Sequence, residues 1–102
     1  MRKVRAEIRW LSSAEGGRKI PLQPGLMYYP LITIDPQIDP QPWSVCFVVT
    51  PIGDDGTSKI CFSMLADNDG ANAFINKLCV GMHFNLLEGN RVVATGIVTA
   101  FE

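Results

Sequence analysis

Val4, Ala6, Ile8 and Trp10 alternate without a break with Lys3, Arg5, Glu7 and Arg9. An apolar side chain at every second position, with a charged one between, marks a strand that buries one face and leaves the other in water. Wound at 3.6 residues per turn, the same residues would scatter their apolar groups around the whole circumference, so a helix is excluded. The chain therefore opens as the half-buried strand of a sheet with a solvent side.

The segments that follow obey the same logic. Ser12-Ser13-Ala14-Glu15-Gly16-Gly17-Arg18-Lys19 is built of turn formers, with two glycines free to take positive φ. Tyr28 to Ile34 is rich in β-formers, although Pro30 makes that strand start late or run along an edge. Between Asp35 and Pro42, Pro36, Pro40 and Pro42 each remove a ladder donor, which predicts a surface loop. Trp43 to Thr50 and Lys59 to Leu65 read as an antiparallel pair joined through the Asp55-Gly56 turn signal. Ala71, Phe74, Ile75 and Leu78 share a helical face, with Asn68 or Asp69 as cap, which predicts one short helix near 69–79. Met82 to Leu87 and Arg91 to Phe101 flank Glu88-Gly89-Asn90 as a final hairpin, and Gly96 inside its second strand suggests a bulge or a tight corner. Six or so short strands with frequent turns and little helix predict an all-β fold, a small closed antiparallel barrel over residues 1–102 as a single domain.

Composition limits what such a barrel does. Hydrophobic residues make up 47% of the chain and charged residues 19%, which is enough apolar material for a core without a metal or disulfide staple. The net charge is −1, yet six of the nine Lys and Arg lie in residues 1–19 beside only two of the ten acids. The whole chain is thus not a nucleic-acid binder by charge, while one basic stripe could meet a phosphate backbone. Cys46, Cys61 and Cys79 are odd in number and widely spaced, which predicts buried free thiols in a reducing cytoplasm. The basic start carries no apolar leader, and no apolar run is long enough for a membrane helix, so a soluble cytoplasmic protein is expected.

Known chemistries find no foothold. His83 is the only imidazole, placed on the strand face opposite Phe84, and no triad partner accompanies it. Asp54-Asp55 and Asp67-Asn68-Asp69-Gly70 do not complete a calcium loop and read as turns and a helix cap. A phosphate-binding GxxxxGK[ST] run is missing, so no nucleotide is expected, nor any metal or other cofactor. Gly16-Gly17-Arg18-Lys19 is the one loop suited to an anion, through its backbone N–H groups and two cations. A non-enzymatic protein is the expectation.

Both ends of the chain resemble a known domain. Ala6-Glu7-Ile8-Arg9-Trp10-Leu11-Ser12, then Glu15-Gly16-Gly17-Arg18 and Pro21, is similar to the opening of the third, C-terminal barrel of elongation factor Tu. Gly81-Met82-His83-Phe84 through Glu88-Gly89-Asn90-Arg91-Val92-Val93-Ala94-Thr95-Gly96-Ile97-Val98 resembles that barrel's closing hairpin. The resemblance implies an antiparallel β-barrel without chemistry of its own, which docks on neighbouring domains and contacts tRNA. Carried over residue by residue, it nominates Glu15, Gly16, Gly17, Arg18 and Glu88 for partner docking.

Two functions follow as expectations. The first is a non-catalytic protein-binding module, acting on an unknown protein partner or on a second copy of itself, and an exposed patch with Met27, Tyr28 or Tyr29 would support it. The second is a translation-associated tRNA- or RNA-binding accessory, with Arg2, Lys3, Arg5, Arg9, Arg18 and Lys19 as its phosphate-facing stripe and Arg5, Arg9, Arg18 and Lys19 as the candidate contacts. The family's arginine after a glycine in the second-strand region is replaced here by Gly25-Leu26-Met27, and the overall charge is not positive. Both points favour the protein-binding expectation.

Overall fold

The alternation at the start of the chain does what its period demands. In the computed structural model, which describes residues 2–102, strand β1 spans Val4–Trp10; Val4, Ala6 and Ile8 are fully buried and Arg5, Glu7 and Arg9 are exposed. Six further strands follow: β2 (Met27–Tyr28), β3 (Leu31–Thr33), β4 (Trp43–Val48), β5 (Thr57–Met64), β6 (His83–Glu88) and β7 (Arg91–Phe101). All pairings are antiparallel, in the order β2-β4-β3-β6-β7-β1-β5, and a further pairing of β4 with β5 closes the sheet on itself. The result is a closed six-stranded barrel with β2 as an extra strand. Closure removes the open sheet edges that would otherwise invite aggregation.

The extra strand belongs to the same line of chain as β3. Met27 and Tyr28 face Val48 and Phe47 on β4, while Leu31 and Ile32 face Ser44 and Trp43, so both strands hold one continuous register along one edge of β4. Pro30 interrupts them because it has no N–H to give, yet its carbonyl still accepts from Val45 N at 3.0 Å. The expected strand over 28–34 is thus present but split at its proline.

Inside the barrel, Phe47, Phe62, Ile8, Ile32, Leu86, Val45, Val93 and Val98 are buried, each side chain contributing about 1.5–3 kcal/mol by leaving water. The helix α1 (Asp69–Lys77) is N-capped by the Asn68 side chain, which accepts from Ala71 N at 2.9 Å. It lays Ala71, Phe74 and Ile75 on the core and lies beside Trp43, whose ring is 6.1 Å from that of Phe74. Asp39, buried in the proline-rich loop, ties that loop to the helix. Its Oδ1 accepts from Gln41 N at 2.9 Å, and its Oδ2 accepts from Lys77 Nζ at 3.1 Å and Trp43 Nε1 at 3.4 Å.

Of the two readings of Gly96, the bulge is ruled out: the register shifts of β7 lie between Leu86 and Leu87 on β6 and between Arg5 and Ala6 on β1, on either side of it. Glycine is needed there because a Cβ would sit 2.3 Å from Phe84 Cζ and 2.9 Å from Ile8 Cγ2, so the Phe84 ring occupies the space of the absent side chain. Contrary to expectation, the thiols are not buried. Strand alternation turns Cys46 and Cys61 to the outer face, where they are half-buried, and Cys79 is exposed beyond the helix.

Candidate functional site

The residues nominated for docking fall into two separate ion pairs. Ser12 and Glu15 form a capping box around a 3-10 turn over Ser13–Glu15, with Glu15 N donating to Ser12 Oγ at 3.3 Å and Ser12 N to Glu15 Oε1 at 3.0 Å. The Arg9 guanidinium grips the same carboxylate with two bonds of 3.1 Å. Those bonds hold the Glu15 carboxyl at about 2, far below its ordinary range. Gly16 takes φ 92 as the C-cap of the turn, a conformation that side-chain-bearing residues rarely adopt. Gly17 is buried against Leu11, where a Cβ would approach Leu11 O to 2.2 Å.

Arg18 and Glu88 come together from opposite ends of the chain. The Arg18 guanidinium pairs with Glu88 Oε2, the Tyr28 hydroxyl donates to the same oxygen, and Arg18 Nε donates to Ile20 O at 3.1 Å. The pair is about two-thirds sheltered, with side-chain exposures of 30% and 31%. Burial, and then the Glu88 carboxylate, push the Tyr28 hydroxyl well above its ordinary pKa. Tyr28 also packs edge-on against Phe47 at 5.6 Å and tilted against Trp10 at 5.9 Å, so this lock is anchored in the core.

These pairings change the anion-binding reading of the loop. Gly16 N donates to Ser13 O at 3.1 Å and Gly17 N to Ser12 O at 2.9 Å, so the amides serve the turn and not a ligand. Arg5 is bound to Glu102 at 3.0 Å, Arg9 to Glu15 and Arg18 to Glu88, which leaves Lys19 as the nominated cation without a salt bridge among the described residues. Of the six cations in the basic stripe, Arg5, Arg9 and Arg18 are thus neutralised, whereas Arg2, which donates to Asn76 Oδ1, Lys3 and Lys19 make no salt bridge among the described residues.

Another surface emerges from the register, hinted at in the sequence by Met27 and Tyr29, whereas Tyr28, also nominated for it, turns inward onto Phe47 and Trp10. Outward positions are Met27 on β2, Tyr29 between β2 and β3, Leu31 on β3, Ser44, Cys46 and Val48 on β4, and Cys61, Ser63 and Leu65 at and just beyond β5. None of the nine is charged. Tyr29 is 58% exposed, Leu65 51%, and Met27 and Val48 49% each. From strand spacing and rise, the face measures on the order of 300 Å². That is the lower end of the ~300–600 Å² covered by the largest apolar patch on a typical monomer, a patch that is often functional. The outer face of β1, by contrast, carries Arg5, Glu7 and Arg9.

Among the described residues no group of three or more His, Cys, Asp or Glu is placed to hold a metal ion, and no helix is long and apolar enough to cross a membrane. His83 is exposed on the outer face of β6, as its alternation with Phe84 predicts. No family model matches the sequence, and no curated protein is significantly similar to it.

Proposed function

We propose that this chain is a non-catalytic protein-binding module of the cytoplasm, built on a barrel like the third domain of elongation factor Tu. The observation that carries the reading is the uncharged outer face centred on Cys46, with Tyr29, Met27, Val48 and Leu65 standing out of it. Aromatic and Met side chains are enriched, and charges depleted, at the cores of protein interfaces. Its size is well short of the ~800 Å² per partner of a stable interface, so docking confined to it is transient, with a second copy or with another protein. The Arg18–Glu88–Tyr28 lock supports the same reading, since it holds the two family-like turns in a fixed relation at one end of the barrel.

The RNA-binding alternative has less behind it, because a guanidinium already paired with a carboxylate releases fewer counterions on meeting a phosphate. The test is site-specific photo-crosslinking in the cell of origin, with a benzoylphenylalanine in place of Tyr29 and, as control, in place of Thr99. A discrete protein adduct from position 29 and none from position 99 is expected. Adducts to RNA, or equal and diffuse labelling from both positions, would refute the reading.

A further inference from the structure

The barrel end beside the Glu15-Gly16-Gly17-Arg18 turn holds a second surface, distinct from the uncharged face. An open hollow of about 340 Å³ has Trp10, Leu11, Pro21, Leu22 and Ile52 as its apolar lining and Arg18 and Lys19 at its rim. A more polar hollow of about 360 Å³ shares Arg18 and Lys19 and adds Ile20, Glu88 and Arg91. Arg18 is satisfied by Glu88, but Lys19 and Arg91 are exposed and make no salt bridge among the described residues. The second hollow thus carries two uncompensated positive charges next to an apolar slot.

The wall made by Trp10, Leu11, Gly17 and Arg18 is fixed before anything binds. Trp10 N donates to Gly56 O at 3.0 Å and Leu11 N to Val93 O at 2.9 Å, while Trp10 Nε1 donates to Ser58 Oγ at 3.3 Å. On the other side Gly17 is packed against the Leu11 backbone and Arg18 is held by Glu88. A slot with one side held in place, at the small end of ligand-pocket volumes, ~300–1,000 Å³, accepts one bulky side chain at reduced ordering cost.

We infer that this end of the barrel binds a short acidic peptide segment, with one bulky apolar side chain in the Trp10–Leu22–Ile52 slot and adjacent carboxylates on Lys19 and Arg91. The occupant follows from charge and shape together. Two exposed cations favour a carboxylate partner, and the negative charge of Glu88 is offset by Arg18, which leaves Lys19 and Arg91 as the net positive charge of the hollow. The apolar slot selects a side chain such as Leu or Phe, which a nucleic-acid backbone does not offer. The site is independent of the uncharged face, so either proposal stands without the other.

The experiment is a titration of the isotopically labelled full chain, followed by ¹H–¹⁵N spectra, with an acetylated, amidated peptide of one leucine between two pairs of glutamates. Comparison peptides replace the glutamates by glutamines, or the leucine by alanine. Shifts are expected on the Trp10 indole, Lys19, Leu22, Ile52 and Arg91, weakening with added salt as partly exposed charge pairs do. Either comparison peptide should bind several-fold more weakly, and K19E/R91E should lose about tenfold while its own spectrum stays folded. Equal binding of the glutamine peptide, shifts located elsewhere, or no shift at millimolar peptide would overturn the inference.

Discussion

Replacing Gly96 with alanine tests the core geometry directly. The added Cβ would meet Phe84 Cζ at 2.3 Å, Phe84 Cε1 at 2.6 Å and Ile8 Cγ2 at 2.9 Å, against an unstrained carbon contact of ~3.5–4.0 Å. The ring must move by about 1 Å, but Phe84 is buried and packs edge-on against Phe62 with centroids 5.8 Å apart. Overpacking of this kind costs ~1–3 kcal/mol, and with no free direction we expect about 3 kcal/mol for G96A. Leucine at 84 ends short of the clashing ring atoms. F84L alone should cost about 1–2 kcal/mol for lost aromatic contact and volume, within the ordinary range of ~0.5–3 kcal/mol. The double variant should then cost about 2 kcal/mol, well below the sum of the single effects, a coupling of the size seen between residues in contact. Urea unfolding measures these differences, and thermal unfolding should show G96A melting ~12–24 °C below wild type, at ~4–8 °C per kcal/mol for a chain of this size. Strict additivity, or a G96A loss below 0.5 kcal/mol on the scale of a neutral surface change, would refute the packing argument.

Other outcomes follow from the ion pairs. The Tyr28 pKa is raised in the folded state, so its contribution is full below its unfolded value near 10 and is lost as pH rises above that; Y28F should flatten the alkaline fall in stability between about pH 10 and 12, measured by urea unfolding. Glu15 has the opposite sign, its contribution being present above the ordinary carboxylate range and lost as pH falls toward about 2; carbon NMR titration should show its midpoint near that value and a return toward normal in R9Q. Removing the buried Asp39 carboxylate in D39A should cost about 2 kcal/mol, since it orphans Gln41 N, Trp43 Nε1 and Lys77 together, and hydrogen exchange should quicken at Gln41.

The barrel was largely legible because strands announce themselves by period two, and the 4–10 segment pairs as its pattern says, with Val4, Ala6 and Ile8 inside. The short helix was legible for a different reason, a capping Asn68 ahead of an apolar face, and it spans Asp69–Lys77 within the expected 69–79. Local pattern does not report what distant residues do to one another. The basic residues at the start of the chain read as a free stripe, yet Arg5 finds Glu102 and Arg18 finds Glu88, partners separated by most of the sequence. The cysteines were misplaced because thiols are buried on average, whereas the alternation of β4 and β5, readable from Val45, Phe47, Ile60 and Phe62, already points Cys46 and Cys61 outward. The uncharged face is likewise invisible without register, because its nine positions come from three separate segments.

That face carries the functional account, and Cys46 at its centre is a built-in probe. Alkylation of Cys46 should be slowed in a concentrated native extract relative to dilute purified protein, while Cys79, exposed beyond the helix, reacts at the same rate in both and serves as the internal reference. Protection of Cys46, and of Cys61 at the edge of the same face, with Cys79 unchanged, is the result predicted for a docking surface. Equal reactivity of Cys46 in the two preparations, against an unchanged Cys79, would contradict it.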